Sequence, residues 1–423
     1  MEDYIYKDVL DLDDFDFNTL DFIDINQVSY KENGIQFRNQ DFSNKTFRID
    51  SKFIERCKKE IRERRLLTDV DIILDVEFKN CHFCNIIIKE KVINANILFD
   101  YDEQNTNFEI KKFILFGSTL NGKFYINKQY SGNDKTLTIN SLKIENTVFK
   151  SNFKLHKTIL KEFNIEDTDF EKHADFFKSK FLKGTLREDK IENINENDIG
   201  FRAINFKGLA LFGDTEFNKK LFFKYVTFES FSHFRKAKLF EGLDLDYSNI
   251  QNEMNFFDVQ ELDTKEAKKN TSQETYRIIK HNFEKLGNKI EANKYFALEL
   301  EQKKVNLKKD KQSNWKDYIV FETHWLSSEF GTNWLRVLCL ICLTSFMTIG
   351  FIHFTLLREL FFHPNLFKPE YIMKIINEFF HYLYILNKNE ILLAHPATLL
   401  FNKLSLGYLY YQFLISIRKD TRK

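Results

Sequence analysis

Proline, glycine and cysteine are all scarce in this chain. Its three prolines, Pro364, Pro369 and Pro396, all fall in the last sixty of 423 residues. Thirteen glycines leave few positions free for left-handed backbone, and no Gly-rich phosphate loop is among them. Five cysteines cannot make a disulfide framework in a chain this long, and they predict a reducing compartment. A dominant charge is missing too. With 63 Lys+Arg against 62 Asp+Glu the formal charge is +1, which argues against a protein that reads nucleic acid through a basic face. No HExxH pair and no Gly-x-Ser-x-Gly elbow occurs. The first thirty residues lack a basic start followed by an apolar run, so no cleaved leader is expected and the N-terminal part should stay in the cytoplasm.

Phenylalanine is abundant instead, with 47 copies. Large apolar residues recur at every fifth position: Phe37, Phe42, Phe47; Phe78, Phe83, Ile88, Ile93, Leu98; Ile139, Ile144, Phe149; Leu155, Leu160, Ile165, Phe170. Further on the steps mix five and six, through Phe206, Phe212, Phe217, Phe223, Phe228, Phe234 and Phe240. Five residues advance a helix by about 500°, which scatters these side chains around the axis. On a flat strand the odd step sends alternate ones to opposite faces. The pattern fits a chain that turns as it goes and returns each large residue to one interior. Small residues stand two positions earlier, as at Cys81, Thr147, Thr168, Ala174, Ser179, Thr215 and Ser232. One small and one large inward residue per short turn describes a narrow solenoid filled by its own coils.

Over residues 30–255, in stretches such as GDTEFNKKLFF and EDTDFEKHADF, the sequence resembles the pentapeptide-repeat family. The resemblance implies a right-handed quadrilateral β-helix with four repeats per coil. The family's usual Ala-Asp/Asn-Leu centre is poorly kept here, with Phe in place of Leu. Segments 51–70 and 182–200 break the register and are expected to form a loop or helix.

Charge and periodicity divide the rest. Residues 1–30 form an acidic segment with nine carboxylates and one base, Lys7. The β-helix is expected over 31–260 and a helical hairpin over 261–312, placed to cap the open end of the solenoid or, as the alternative, to dimerise or dock. The hairpin opens on Thr271-Ser-Gln-Glu274, which reads as a capping box, and turns at Gly287-Asn288. It ends in Lys303, Lys304, Lys308, Lys309 and Lys311, basic residues placed to meet anionic lipid ahead of an apolar segment. Residues 313–334, with Trp315, Trp325 and Trp334, read as an interfacial stretch.

The membrane domain is expected over 335–423, with two transmembrane helices. The first, 335–357, contains an uncharged run long enough to cross a bilayer. The second, 397–417, is weaker because Lys403 lies inside it. Arg418, Lys419, Arg422 and Lys423 put the C-terminus on the cytoplasmic side, so the topology is multi-pass in an inner membrane with both termini inside. Between the spans an amphipathic stretch, YIMKIINEFFHYLYIL, carries Glu378 and His381, which with Lys403 are the candidates to line a pathway. Segments SQETYRIIKHNFEKLGNKIEANKYFALELE, SSEFGTNWLR and YQFLISIRKDTRK resemble a subset of pentapeptide-repeat proteins that end in a channel-like pair of helices. No glycine separates Gly350 from Gly407, so the Gly-Tyr-Gly filter of potassium channels is absent.

Cys81-His-Phe-Cys84 is the one metal-like pair. A zinc site needs four ligands, and no second pair stands at finger spacing. The register points Cys81 inward and Cys84 outward. Cys339 and Cys342 read as packing residues of the first span. The chain therefore carries no expected catalytic, cofactor or metal residues, and an enzyme is not expected. The leading expectation is a membrane-anchored scaffold that binds an unidentified protein partner on the cytoplasmic face. The alternative is an oligomeric, ion-channel-like pore or membrane effector, in stress or phage defence, regulated by the β-helix. Lys403 in a bilayer also favours a homo-oligomer. A DNA mimic of the kind that inhibits gyrase needs an acidic stripe, whereas residues 31–260 carry about +2.

Overall fold

The computed structural model describes residues 27–31, 33–64, 73–101, 108–127, 137–185, 195–309, 314–352, 369–386 and 395–421. Most of the acidic segment 1–30, Lys311, Arg422, Lys423 and the start of the loop between the expected spans lie outside them. The chain forms two compact units, Met1–Asn282 and Phe283–Lys423.

The first unit is a parallel β-solenoid. The chain returns again and again to one sheet, through Gly34–Arg38, Leu74–Lys79, Ala95–Asp100, Phe124–Ile126, Phe153–Leu155 and Ala174–Asp175. It continues through Ala210–Leu211, Ser232–His233 and Met254–Asn255. These neighbours are parallel and in register, so Ala174, Ala210, Ser232 and Met254 occupy one column. An antiparallel strand, Val28–Lys31, closes the first edge. In the later coils, equivalent residues lie 22 positions apart, as the pairs Lys219–Glu241 and Lys238–Glu216 register.

Phenylalanine fills the interior because its ring suits the coil spacing. Along the axis Phe176, Phe212 and Phe234 stack with centroids 4.9 and 4.7 Å apart and planes within 6° of parallel. Across the interior, Phe201 meets Phe176 and Phe212 edge-on, both at 87°. Strand spacing of about 4.8 Å matches the offset-stacking distance of aromatic rings. Thr147, Thr168, Ser179 and Thr215 are buried beside the rings, and their hydroxyls donate to backbone carbonyls at 2.7–3.1 Å.

The corners are made with little glycine. Asn127, Lys157, Lys178, Asp214, Lys236 and Asp258 all take positive φ, between 47° and 58°. Five- and six-residue steps alternate at such corners, and this corrects two expected core positions. Phe99 is inward where the fivefold count gives Leu98, and Leu239 is buried while Phe240 is exposed. Adjacent large residues left the step length ambiguous at both places.

The break at 51–70 begins as helix α1 (Ser51–Glu63), capped by Asp50, whose carboxylate accepts the Phe53 N–H at 2.8 Å. It buries Ile54, Cys57 and Ile61. Within the break at 182–200, residues 186–194 lie outside the described residues. After the last coils come α2 (Lys265–Asn270) and α3 (Gln273–Lys285). Their side chains close the solenoid's open edge. Leu243 N–H donates to Thr271 Oγ1 at 3.1 Å, Leu245 N–H to Thr275 Oγ1 at 2.9 Å, and Met254 N–H to Asn282 Oδ1 at 3.0 Å. These oxygens stand where the next coil's carbonyls would be, which satisfies edge donors that would otherwise invite another chain. Ser272, not Thr271, is the helix cap, and it accepts the Thr275 N–H.

The second unit is helical: α4 (Lys289–Lys309), α5 (Trp315–Ser328), α6 (Trp334–Ile352), α7 (Pro369–Leu383) and α8 (Pro396–Thr421). Gly287, at φ +72°, makes the turn into α4, and Asn288 caps that helix through the Glu291 N–H at 3.2 Å. Among the described residues one helix, α6, is long and apolar enough to cross a membrane.

Candidate functional site

Helices α6 and α8 bury several polar side chains at their shared seam and expose large apolar ones on their outer faces. On α6, Leu335, Leu343, Phe346 and Phe351 are exposed, while Thr344, Ser345 and Thr348 are buried. On α8, Leu400, Leu404, Tyr411 and Leu414 are exposed, while Asn402, Gln412 and Ser416 are buried. Phe380 on α7 is 61 % exposed. Exposing large apolar side chains to water gains nothing, and burying polar ones without partners costs free energy.

The α6–α8 seam follows from helical spacing. Asn402, Leu406, Leu409 and Gln412 fall on one face of α8, and Val337, Ile341, Ser345 and Thr348 on the facing side of α6. Val337, Ile341, Leu406 and Leu409 form its apolar centre. At one end Asn402 donates its amide to Thr348 Oγ1 at 3.0 Å and to the Tyr382 carbonyl at 3.3 Å, which ties α6, α7 and α8 at one point. Thr348 in turn donates to the Thr344 carbonyl, 2.9 Å away. Towards the other end Ser328 Oγ donates to Gln412 Oε1 at 3.0 Å, and Ser327 pairs with the Tyr408 hydroxyl at 3.0 Å.

The segment SSEFGTNWLR is the turn between α5 and α6. Glu329, Phe330 and Gly331 take positive φ in succession, and the Ser328 carbonyl accepts the N–H groups of Gly331, Thr332 and Asn333. Lys419 of α8 donates to the Phe330 carbonyl at 2.8 Å, and Arg336 pairs with Glu329 at 2.7 Å. Burial, and then the nearby Lys419 charge, hold the His324 imidazole below its ordinary value.

The expected pathway residues do not form one cluster. Lys403 donates to the carbonyls of Ile385 and Tyr384, at 2.5 and 3.4 Å, so it caps the end of α7. Glu378 is half-buried on α7, and His381 is exposed one turn later, its ring 5.9 Å from that of Tyr382. The expected lipid-facing bases are partly engaged with α5. Lys304 pairs with Glu322 at 3.1 Å and lies 3.7 Å over the Trp325 ring, and Lys303 lies 4.9 Å over Phe321. Lys304 holds the Glu322 carboxyl below the usual range. Lys308 and Lys309 end α4 exposed.

In the solenoid, Cys81 is buried and its thiol, pushed up to about 12 by burial, lies 3.5 Å from the carbonyls of Phe37 and Lys79. Cys84 is half-buried, and Cys339, expected to pack, is on the exposed side of α6. Among the described residues no group of three or more His, Cys, Asp or Glu side chains converges as metal ligands. Sequence reasoning missed Asn402, Gln412 and Lys419 as the ties of the helical unit. The signal in the sequence is the spacing of Asn402 and Gln412 with Leu406 and Leu409 along one face of α8. No family model, no curated protein and no solved structure matches the chain.

Proposed function

We propose that this chain is a membrane-anchored scaffold, with a pentapeptide-repeat β-helix of the right-handed quadrilateral kind presented on the cytoplasmic face of an inner membrane. The helical unit crosses that membrane twice, at 335–357 and 397–417, with both termini inside. The observation that carries the reading is the pair of faces on α6 and α8, with Thr348, Asn402 and Gln412 buried at their seam and Phe346, Leu404 and Leu414 exposed. Helices in lipid associate through small and polar residues, since apolar faces gain nothing by leaving hydrocarbon. Among the described residues α6 alone is long and apolar enough to cross by itself, and α8 joins it because Asn402 and Lys403 direct their polar groups to Thr348 and the α7 carbonyls. The partner of the solenoid is a protein of unidentified nature. Sedimentation of the full chain with membranes after alkaline carbonate extraction is the test. Release of the chain into the supernatant, with the solenoid still folded, would defeat the reading.

A second reading, an oligomeric pore or membrane effector, draws support from the exposed His381 beside half-buried Glu378 on α7. Ion flux from liposomes carrying the full chain, compared with a chain scrambled over 371–387, tests it. Equal flux from both sinks that reading and leaves the anchor standing.

A further inference from the structure

A groove of about 400 Å³ opens on the solenoid wall, lined by Lys157, Lys178, Lys180, Lys236 and Lys238 with Asp214 and Glu216. Its residues come in pairs from successive coils. Lys180, Glu216 and Lys238 stand side by side in neighbouring parallel strands. Lys178, Asp214 and Lys236 form the adjoining corner column at φ 55°, 53° and 58°. Each of these three donates its N–H to a carbonyl of the next coil, at 3.1, 2.9 and 3.1 Å. The side chains therefore project from a fixed frame.

Other pairs across the coils match one lysine to one carboxylate, as in Lys183–Glu162, Lys207–Glu171 and Lys220–Asp244. In the groove Glu216 alone receives Lys180 at 3.2 Å and Lys238 at 2.6 Å. Lys178 and Lys236 are exposed, and among the described residues neither has a carboxylate within ion-pair distance. The ammonium groups of Lys178, Lys180, Lys236 and Lys238 thus face the carboxylates of Asp214 and Glu216, with Glu261 near enough to act on Lys238, in a cavity of ligand-site size.

We infer that this groove binds a phosphate chain, such as the triphosphate of a nucleotide, with Lys178 and Lys236 gripping it from two sides and Glu216 holding Lys180 and Lys238 in place. Lysine acts on phosphate as a point charge and needs no bidentate geometry. Lys178 and Lys236 lie two coils apart, roughly 10 Å at strand spacing, which suits a chain of phosphates better than a single one. Asp214 lies between them, so a monoanion gains little and a ligand of several charges gains most.

The test uses the full-length protein in detergent and inorganic tripolyphosphate as the probe, followed by isothermal titration calorimetry at low salt. Saturable one-to-one binding is expected, weakened at least tenfold in the double variant K178Q/K236Q and unchanged in K219Q, whose lysine pairs with Glu241 outside the groove. A second arm replaces the probe with vesicles containing a phosphoinositide. Retention there without tripolyphosphate binding, lost in the same double variant, assigns the groove to a lipid headgroup of the same chemistry. Binding that survives K178Q/K236Q, or none in either arm, overturns the inference.

Discussion

Asn402 donates its side-chain amide to Thr348 Oγ1 at 3.0 Å across the seam of α6 and α8, with both residues fully buried. An interhelical hydrogen bond of this kind contributes about 0.6 kcal/mol on average in a membrane bundle and up to about 1.7. Asn402→Leu also frees the Tyr382 carbonyl. On the membrane reading, a loss of about 1–2 kcal/mol is expected in reversible unfolding of the reconstituted protein. A double-mutant cycle with Thr348→Val should return a coupling of about 0.5–1.5 kcal/mol, and zero coupling would remove the bond from the account.

Phe212 stacks on Phe176 and Phe234 and meets Phe201 edge-on. Phe212→Ala leaves a cavity lined by rings whose backbones are fixed by neighbouring coils. A destabilisation of about 3–5 kcal/mol is expected, with Phe212→Leu costing less than half as much. Chemical denaturation followed by far-UV circular dichroism measures both. Equal losses would mean that the coil collapses around the gap.

The solenoid was legible in the sequence because a period near five fits no flat element, and Phe206, Phe212, Phe217 and Phe223 kept it without interruption. Its limits were the doublets Leu98-Phe99 and Leu239-Phe240, where two large residues compete for one inward place. The capping helix was legible as a helix from Tyr276, Ile279 and Phe283. A helix at that place was expected to cover the open solenoid end, and what only the fold supplies is the pairing of Thr275 with the Leu245 amide. In the helical unit Lys403 stands out in the sequence by its charge. Asn402, uncharged and one residue away, does the joining of three helices, and hydropathy alone does not separate a lipid-facing residue from a seam residue.

Thr275 Oγ1 accepts the Leu245 N–H at 2.9 Å in place of a further coil. Thr275→Val keeps the shape and leaves that edge amide without its acceptor, which costs about 1–3 kcal/mol. Thr275→Ser restores it. Hydrogen exchange at Leu245 should accelerate in the valine variant and return to the native rate in the serine one. Unchanged protection in the valine variant would show that the edge is closed by packing alone.

Burial holds the His233 imidazole below its ordinary value, with Arg235 adding to the effect and Asp175 and Asp214 opposing it. The unfolded chain then binds a proton that the fold excludes. Stability is therefore expected to fall as pH drops below about 6.5, where the unfolded imidazole begins to charge, and to go on falling until the folded group titrates. Thermal melts from pH 7.5 down to pH 5 should show a shallower decline in His233→Gln than in the native protein. Parallel curves would place the acid sensitivity elsewhere.

Lys403 donates to the carbonyls of Ile385 and Tyr384, just past the end of α7. On the membrane reading it therefore carries two opposed effects. A lysine at the centre of an inserting helix costs about 2.5–3.5 kcal/mol, less near an end, so Lys403→Met should favour insertion of α8. The same change strips the α7 terminus of its donor, and the freed carbonyls have no water to turn to if they lie in hydrocarbon. Glycosylation mapping of topology should thus show insertion at least as efficient as in the native chain, while hydrogen exchange in the last turn of α7 becomes faster. Poorer insertion would mean that the lysine is recognised during assembly and not merely tolerated. Unchanged exchange would mean that the carbonyls are satisfied by another group, and that the hold of α8 on α7 rests on Asn402 and on Tyr410, whose hydroxyl donates to the Leu383 carbonyl at 3.0 Å.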